Sequence, residues 1–184
     1  MIYKIIYSLN QQLNDYLKSC FRLTEDIAYV SSVKDNTSTF PANRVSVSII
    51  NIERELVGGI AYGRQNVSGT QSRKTAPGWQ INLYALIAAV FSEKQYKESL
   101  QIMSGILTFI QKSNLLFIQG VSPSFSIEPI NLSLQELSNL WSIFGGSYYP
   151  SLICKIRLIT INEQEITDLS TLVNQADTKA GVKR

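Results

Sequence analysis

The chain contains no histidine. That removes the side chain that most often serves as a general base or a metal ligand near neutral pH, and with it every Ser-His or Cys-His nucleophile. Charge is scarce too. Asp, Glu, Lys and Arg make up 17% of the 184 residues, where ordinary soluble domains carry about 25%. So few charges fit a surface that is largely buried against other subunits. The net charge of +3 falls short of the dense basic stripe of a nucleic-acid binder, so no nucleic-acid partner is expected. The two cysteines, Cys20 and Cys154, lie far apart without metal-ligand spacing. Both are expected to be reduced core thiols, and neither metal nor cofactor is expected. No run reaches the ~18 apolar residues of a membrane span. The first residues lack the basic lead and apolar core of a secretory leader. Cytoplasmic synthesis without membrane insertion is therefore the expectation.

Hydrophobic residues, at 45%, suffice for one core. Apolar positions at Ile2, Ile5, Ile6, Leu9, Leu13, Tyr16, Leu17, Cys20 and Phe21 recur with helical spacing and predict a long helix. Residues 27–33 read as a short strand, 34–43 as a loop, and the β-branched run 45–52 as a strong strand. Residues 56–78 concentrate glycine with Arg64, Arg73 and Lys74 and hold no acid, so they read as a long loop that orders against a partner. Residues 80–91 are apolar on both faces and read as a buried central strand, with a helix as the alternative. Ser92-Glu93-Lys94-Gln95 matches a capping box. It opens a second long helix whose stripe is Tyr96, Leu100, Met103, Leu107 and Ile110. A short strand at 125–130, a third helix from Ser133 to Phe144 and a last strand at 152–161 complete the pattern. Residues 163–184 read as a polar tail. The predicted fold is one α+β domain over residues 1–162, with a mixed, mainly antiparallel sheet packed by two long helices and one short helix.

Chemistry is thin. Gly58 and Gly63 have phosphate-loop spacing, but Arg64 and Gln65 replace the required Lys and Ser/Thr, and no helix is expected to follow. Glu53 and Glu55 share one side of a strand. With Arg54 between them, they read as a solvated ion-pair patch rather than a catalytic carboxylate pair. The stretch 133–152 is distinctive: a capped helix carrying Leu137, Leu140, Trp141 and Phe144, a Gly145-Gly146 stop, then Tyr148, Tyr149 and Pro150 leading into a strand. Trp141, Phe144, Gly145 and Pro150 are expected to lock this corner of the fold. Tyr148 and Tyr149 are equally readable as a packed plug or as a recognition surface.

Taken in order, Asn51-Ile52-Glu53-Arg54-Glu55, Ile81-Asn82-Leu83-Tyr84, Tyr96-Lys97-Glu98-Ser99-Leu100, Ile127-Glu128-Pro129, Leu140-Trp141, Gly145, Tyr149-Pro150-Ser151-Leu152 and Arg157 resemble the cap, or tube-terminator, family of contractile injection systems of the antifeeding-prophage type. The resemblance spans about residues 2–162. It implies a phage tail-terminator-like fold and a structural, non-enzymatic role. It further implies a homo-hexameric ring at the distal end of a phage-tail-like particle, which stops the inner tube and ties the last sheath ring to it. Its partners would be a second copy of the chain, the inner tube protein and the sheath protein. Glu53, Arg54 and Glu55 are candidates for a subunit boundary, and Arg64, Arg73, Lys74, Tyr148 and Tyr149 for contact with neighbouring proteins. The alternatives are an adaptor or chaperone of a secretion system and a bona fide contractile phage tail terminator. An enzyme would need a carboxylate-only or cysteine mechanism, and Cys154 has no evident activating base.

Overall fold

The computed structural model describes residues 2–34, 39–55, 63–68, 71–75, 79–113, 115–118, 121–161 and 166–171. The elements are α1 (Ile2–Phe21), β1 (Ala28–Val30), β2 (Arg44–Arg54), β3 (Gly63–Ser68), β4 (Gln71–Thr75), β5 (Trp79–Val90), α2 (Tyr96–Lys112), β6 (Leu115–Ile118), β7 (Val121–Ile130), α3 (Leu134–Ile143), β8 (Ser151–Ile161) and β9 (Ile166–Thr171). They fall into two compact units, one of Met1–Arg54 with Ile81–Ile159, the other of Glu55–Gln80 with Thr160–Arg184.

The larger unit is built on a six-stranded sheet of order β1-β2-β5-β8-β7-β6. Strand β1 runs parallel to β2, while β2–β5, β7–β8 and β6–β7 are antiparallel. The Ala89 amide donates to the Pro150 carbonyl at 2.9 Å. The end of β5 therefore lies beside the start of β8, the antiparallel sense. This is the mixed, mainly antiparallel α+β fold expected from the sequence.

Alternation along the strands gives each sheet face its own core. Leu83, Ala85, Ile87 and Ala89 of β5, with Val45, Val47, Ile127, Cys154 and Ile156, face helices α1 and α2. Helix α1 meets them with Ile5, Ile6, Leu9, Leu13 and Leu17, one buried stripe at helical period. Leu86, Ala88 and Val90 turn to the other face and pack with Ile153, Val33 and Trp141 of α3. The helices approach closely at Gly105, where a Cβ would lie 2.7 Å from the Phe21 ring.

Four expectations are corrected. The stretch 56–78 is not one loop, because β3 and β4 form an antiparallel pair within it. Nor is 163–184 wholly a tail, because β9 pairs with β4 and completes a three-stranded sheet in the smaller unit. These strands are polar and held by backbone hydrogen bonds, so they lack the apolar alternation that marks a half-buried strand. Residues 56–62, 69–70, 76–78, 162–165 and 172–184 lie outside the described residues. The capping box at Ser92 does not form. A 3-10 turn, Glu93–Gln95, precedes α2, and the Ser92 amide instead donates to the Asn43 side chain at 2.9 Å. Finally, Cys20 is exposed rather than core; it and the buried Cys154 are both free thiols. Burial pushes the Cys154 thiol up to about 12.

Candidate assembly surfaces

The stretch 133–152 folds as its residues dictate. Ser133 Oγ accepts from the Glu136 amide at 3.3 Å, and Glu136 Oε2 accepts from the Ser133 amide at 2.8 Å, a complete capping box. The Ser133 amide and hydroxyl hold the Glu136 carboxyl below its usual range. At the other end the Gly146 amide reaches the Trp141 carbonyl at 2.9 Å and the Gly145 amide reaches that of Ser142 at 3.1 Å. This paired closure needs left-handed backbone, and Gly145 and Gly146 supply φ of +87° and +81°. Trp141 is 4% exposed. Its ring lies 5.9 Å from Phe144, 5.5 Å from Tyr148 and 5.8 Å from Tyr149. Phe144 and Tyr149 are partly buried against the core, while Tyr148 is 58% exposed. The two tyrosines thus divide, Tyr149 as plug and Tyr148 as surface. The buried Trp141 indole N–H has no hydrogen-bond partner among the described residues.

Tyr148 stands between two open grooves. One, of about 280 Å³, runs along α3 past Leu134, Leu137 and Trp141. The other, of about 420 Å³, reaches Phe91, Tyr96 and Pro150 at the start of α2. The stripe expected to bury α2 is largely on its outside: Ile102, Ile106, Phe109 and Ile110 face the core with Met103, while Tyr96, Leu100 and Leu107 are exposed. Spacings of four and seven residues put these three on one line of the helix. Tyr148 and Leu134, at the α3 corner, are exposed as well, Leu134 at 86%. An exposed apolar line like that on α2 is a candidate contact with another macromolecule.

A second surface lies on the face that α3 covers only in part. Glu53 Oε2 accepts from the Tyr84 hydroxyl at 2.5 Å and lies 4.0 Å from Lys155 Nζ. Lys155 Nζ also sits 5.4 Å from the Tyr84 ring centre. Lys155 is opposite Glu128 in the β7–β8 register, and Glu128 pairs with Arg157 at 3.0 Å. Four adjacent strands thus carry one polar stripe. Strand β2 ends at Arg54, and the Glu55 amide donates to the Gln80 carbonyl at 2.8 Å, in line with the β2–β5 register. Lys155 was not among the expected site residues. Its signal is the alternation Lys155, Arg157 on one strand, which puts both on one face.

In the smaller unit the backbone sets Arg64 opposite Lys74 and Lys74 opposite Asp168, with Arg73 between Gln65 and Leu169. The side chains of Arg64, Arg73 and Lys74 lie outside the described residues. So does the stretch from Gly58 to Tyr62. Gly63 itself opens strand β3, and a strand offers no helix N-terminus to a phosphate. Among the described residues, no three His, Cys, Asp or Glu side chains gather as a metal site, and no helix is long and apolar enough to cross a membrane.

The family model described as the Pvc16 N-terminal domain matches residues 4–175. The chain belongs to the Pvc16 N-terminal domain family. Two solved structures share its fold. The PVC sheath/tube terminator of an extracellular contractile injection system, in its extended state, aligns with 100% of this chain and 64% of its own, at a TM-score of 0.75 and 19% identity. The tube-terminating cap of the anti-feeding prophage aligns with 91% of this chain and 59% of its own, at a TM-score of 0.61 and 21% identity. This Pvc16 N-terminal domain chain therefore spans about three fifths of the length of those proteins. No curated protein matches it in sequence.

Proposed function

We propose that this chain is a structural cap of a contractile injection system. It forms a homo-hexameric ring on the distal end of the inner tube, stops tube polymerisation and ties the last sheath ring to the tube. The supporting observation is membership of the Pvc16 N-terminal domain family over residues 4–175, together with the fold it shares with two tube-end proteins. The role is non-enzymatic, and the chain joins a particle after synthesis in the cytoplasm.

The surfaces suit such a machine. A ring is closed by a heterologous interface, two different patches of one subunit meeting on its neighbours. The exposed apolar line of Tyr96, Leu100 and Leu107 on α2 is one such patch. The polar stripe of Glu53, Tyr84, Lys155, Glu128 and Arg157 is the other, with Arg54 and Glu55 at its margin. Arg64, Arg73 and Lys74 in the smaller unit face tube or sheath. Sheath shortening then drives the tube forward because the tie holds at the far end.

The test is removal of the gene from a producing cell. Loss of the chain should give tubes of broad, uncontrolled length and sheaths that contract without carrying the tube. Particles of normal length and normal contraction would exclude the proposal. An adaptor or chaperone role would leave tube length unchanged and remove only cargo.

A further inference from the structure

Strand β1 is the margin of the six-stranded sheet, and a margin turns every second residue's amide and carbonyl outward. The Val45 amide donates to the Ile27 carbonyl at 2.7 Å and the Ser31 amide to the Val47 carbonyl at 3.2 Å. The Ile27 carbonyl, the backbone groups of Tyr29 and the Ser31 amide are therefore directed to β2, and Ala28 and Val30 direct theirs away from it. At Ala28 the outward groups meet the side chain of Asn14 on α1. The Asn14 carboxamide nitrogen donates to the Ala28 carbonyl at 2.7 Å, and its oxygen accepts from the Ala28 amide at 2.8 Å and the Ile27 amide at 3.0 Å. A carboxamide presents one face of donors and one acceptor, the same complement as a peptide group of an adjoining strand. Asn14 is 4% exposed, so this pairing is shielded from water. One helical turn on, Lys18 pairs with Asp26, so α1 runs along the margin, one turn for every two strand residues. One rung further along β1 the arrangement changes. Ala28 is 1% exposed and Val30 38%, although both border one open groove of about 550 Å³ that Asn14, Tyr3, Tyr7 and Asn10 also line.

We propose that Asn14 acts as a surrogate strand that closes the β1 margin to strand addition, and so keeps this chain from pairing edge to edge with a second copy through β1. A single open rung at Val30 gives an incoming strand too few bonds to hold. Two adjoining rungs, Ala28 and Val30, would give a template. A residue that only tied α1 to the sheet would cost stability when replaced but would not alter association.

Asn14→Leu keeps the side-chain size and removes the donor and the acceptor. The folded variant should move to larger species by light scattering at matched concentration, with mean mass about twofold or more above the unsubstituted chain. Adding Val30→Pro strips the next outward amide at a position where a margin tolerates proline, and should return the mass to its original value. A folded Asn14→Leu variant of unchanged mass overturns the proposal, as does association that survives Val30→Pro. If Asn14→Leu does not fold, hydrogen exchange in the unsubstituted chain decides. The Ala28 amide should exchange about tenfold or more slowly than that of Val30, and equal rates overturn the proposal.

Discussion

Among single residues, Trp141 packs the α3 corner. It joins α3 to Leu86, Ala88, Val90 and Ile153, and its replacement by alanine should cost about 3–5 kcal/mol in a denaturant titration. Gly146 carries conformation instead. A Cβ there would touch nothing within 4 Å, yet φ is +81°. Gly146→Ala should therefore destabilise by about 1–2 kcal/mol through the left-handed backbone alone, and Gly146→Asn by less. The two cysteines make a separate test. Cys154 is buried with its thiol pushed up to about 12, while Cys20 is exposed. Alkylation at neutral pH should label Cys20 in the folded chain and both thiols after denaturation. Rapid labelling of native Cys154 would contradict its placement.

At the scale of elements, α3 is a helix whose ends are written in its sequence. Ser133→Ala should cost about 0.5–2 kcal/mol by removing the cap. The Glu136 carboxyl is held low in the fold, so its contribution is complete above the ordinary glutamate range and is lost as pH falls through the lowered folded value. The difference in melting temperature between the unsubstituted chain and Glu136→Gln should therefore shrink on going from neutral pH into acid. A difference independent of pH would remove the charge from the account. Helices α1 and α3 and strand β2 were legible from apolar period or β-branched content, while β5, apolar on both faces, was legible as a buried element that could have been strand or helix. Strands β3, β4 and β9 were not, since their mostly polar residues give no apolar alternation to read. Helix α2 was legible as a helix but not in its orientation. Tyr96, Leu100 and Leu107 are as apolar as Ile102, Ile106 and Phe109, and only the fold decides which line turns inward. The same ambiguity concealed the exposed apolar line on α2. A double Leu100→Glu, Leu107→Glu variant should keep its secondary structure and its stability within about 0.5 kcal/mol per site, as surface changes do, and lose assembly into particles. Normal incorporation would take α2 out of the interface.

For the whole molecule, the two sheet faces divide the labour. One is sealed by α1 and α2, the other is covered by α3 at one end and left charged at the other, where Glu53, Tyr84, Lys155, Glu128 and Arg157 meet. A subunit made this way has a closed core and two unlike outer patches, the requirement for a ring that closes by rotation. Arg54→Glu, next to the polar stripe, should weaken ring formation when mass is measured at low salt, and an intact hexamer would remove that margin from the boundary. The central claim, that this chain caps the tube, is tested most directly by electron cryo-microscopy of particles from a producing cell. The account predicts six copies of this fold in one ring at the tube end farthest from the baseplate, in contact with both tube and sheath. A tube end without this density, or the fold found elsewhere in the particle or only free of it, would contradict the account.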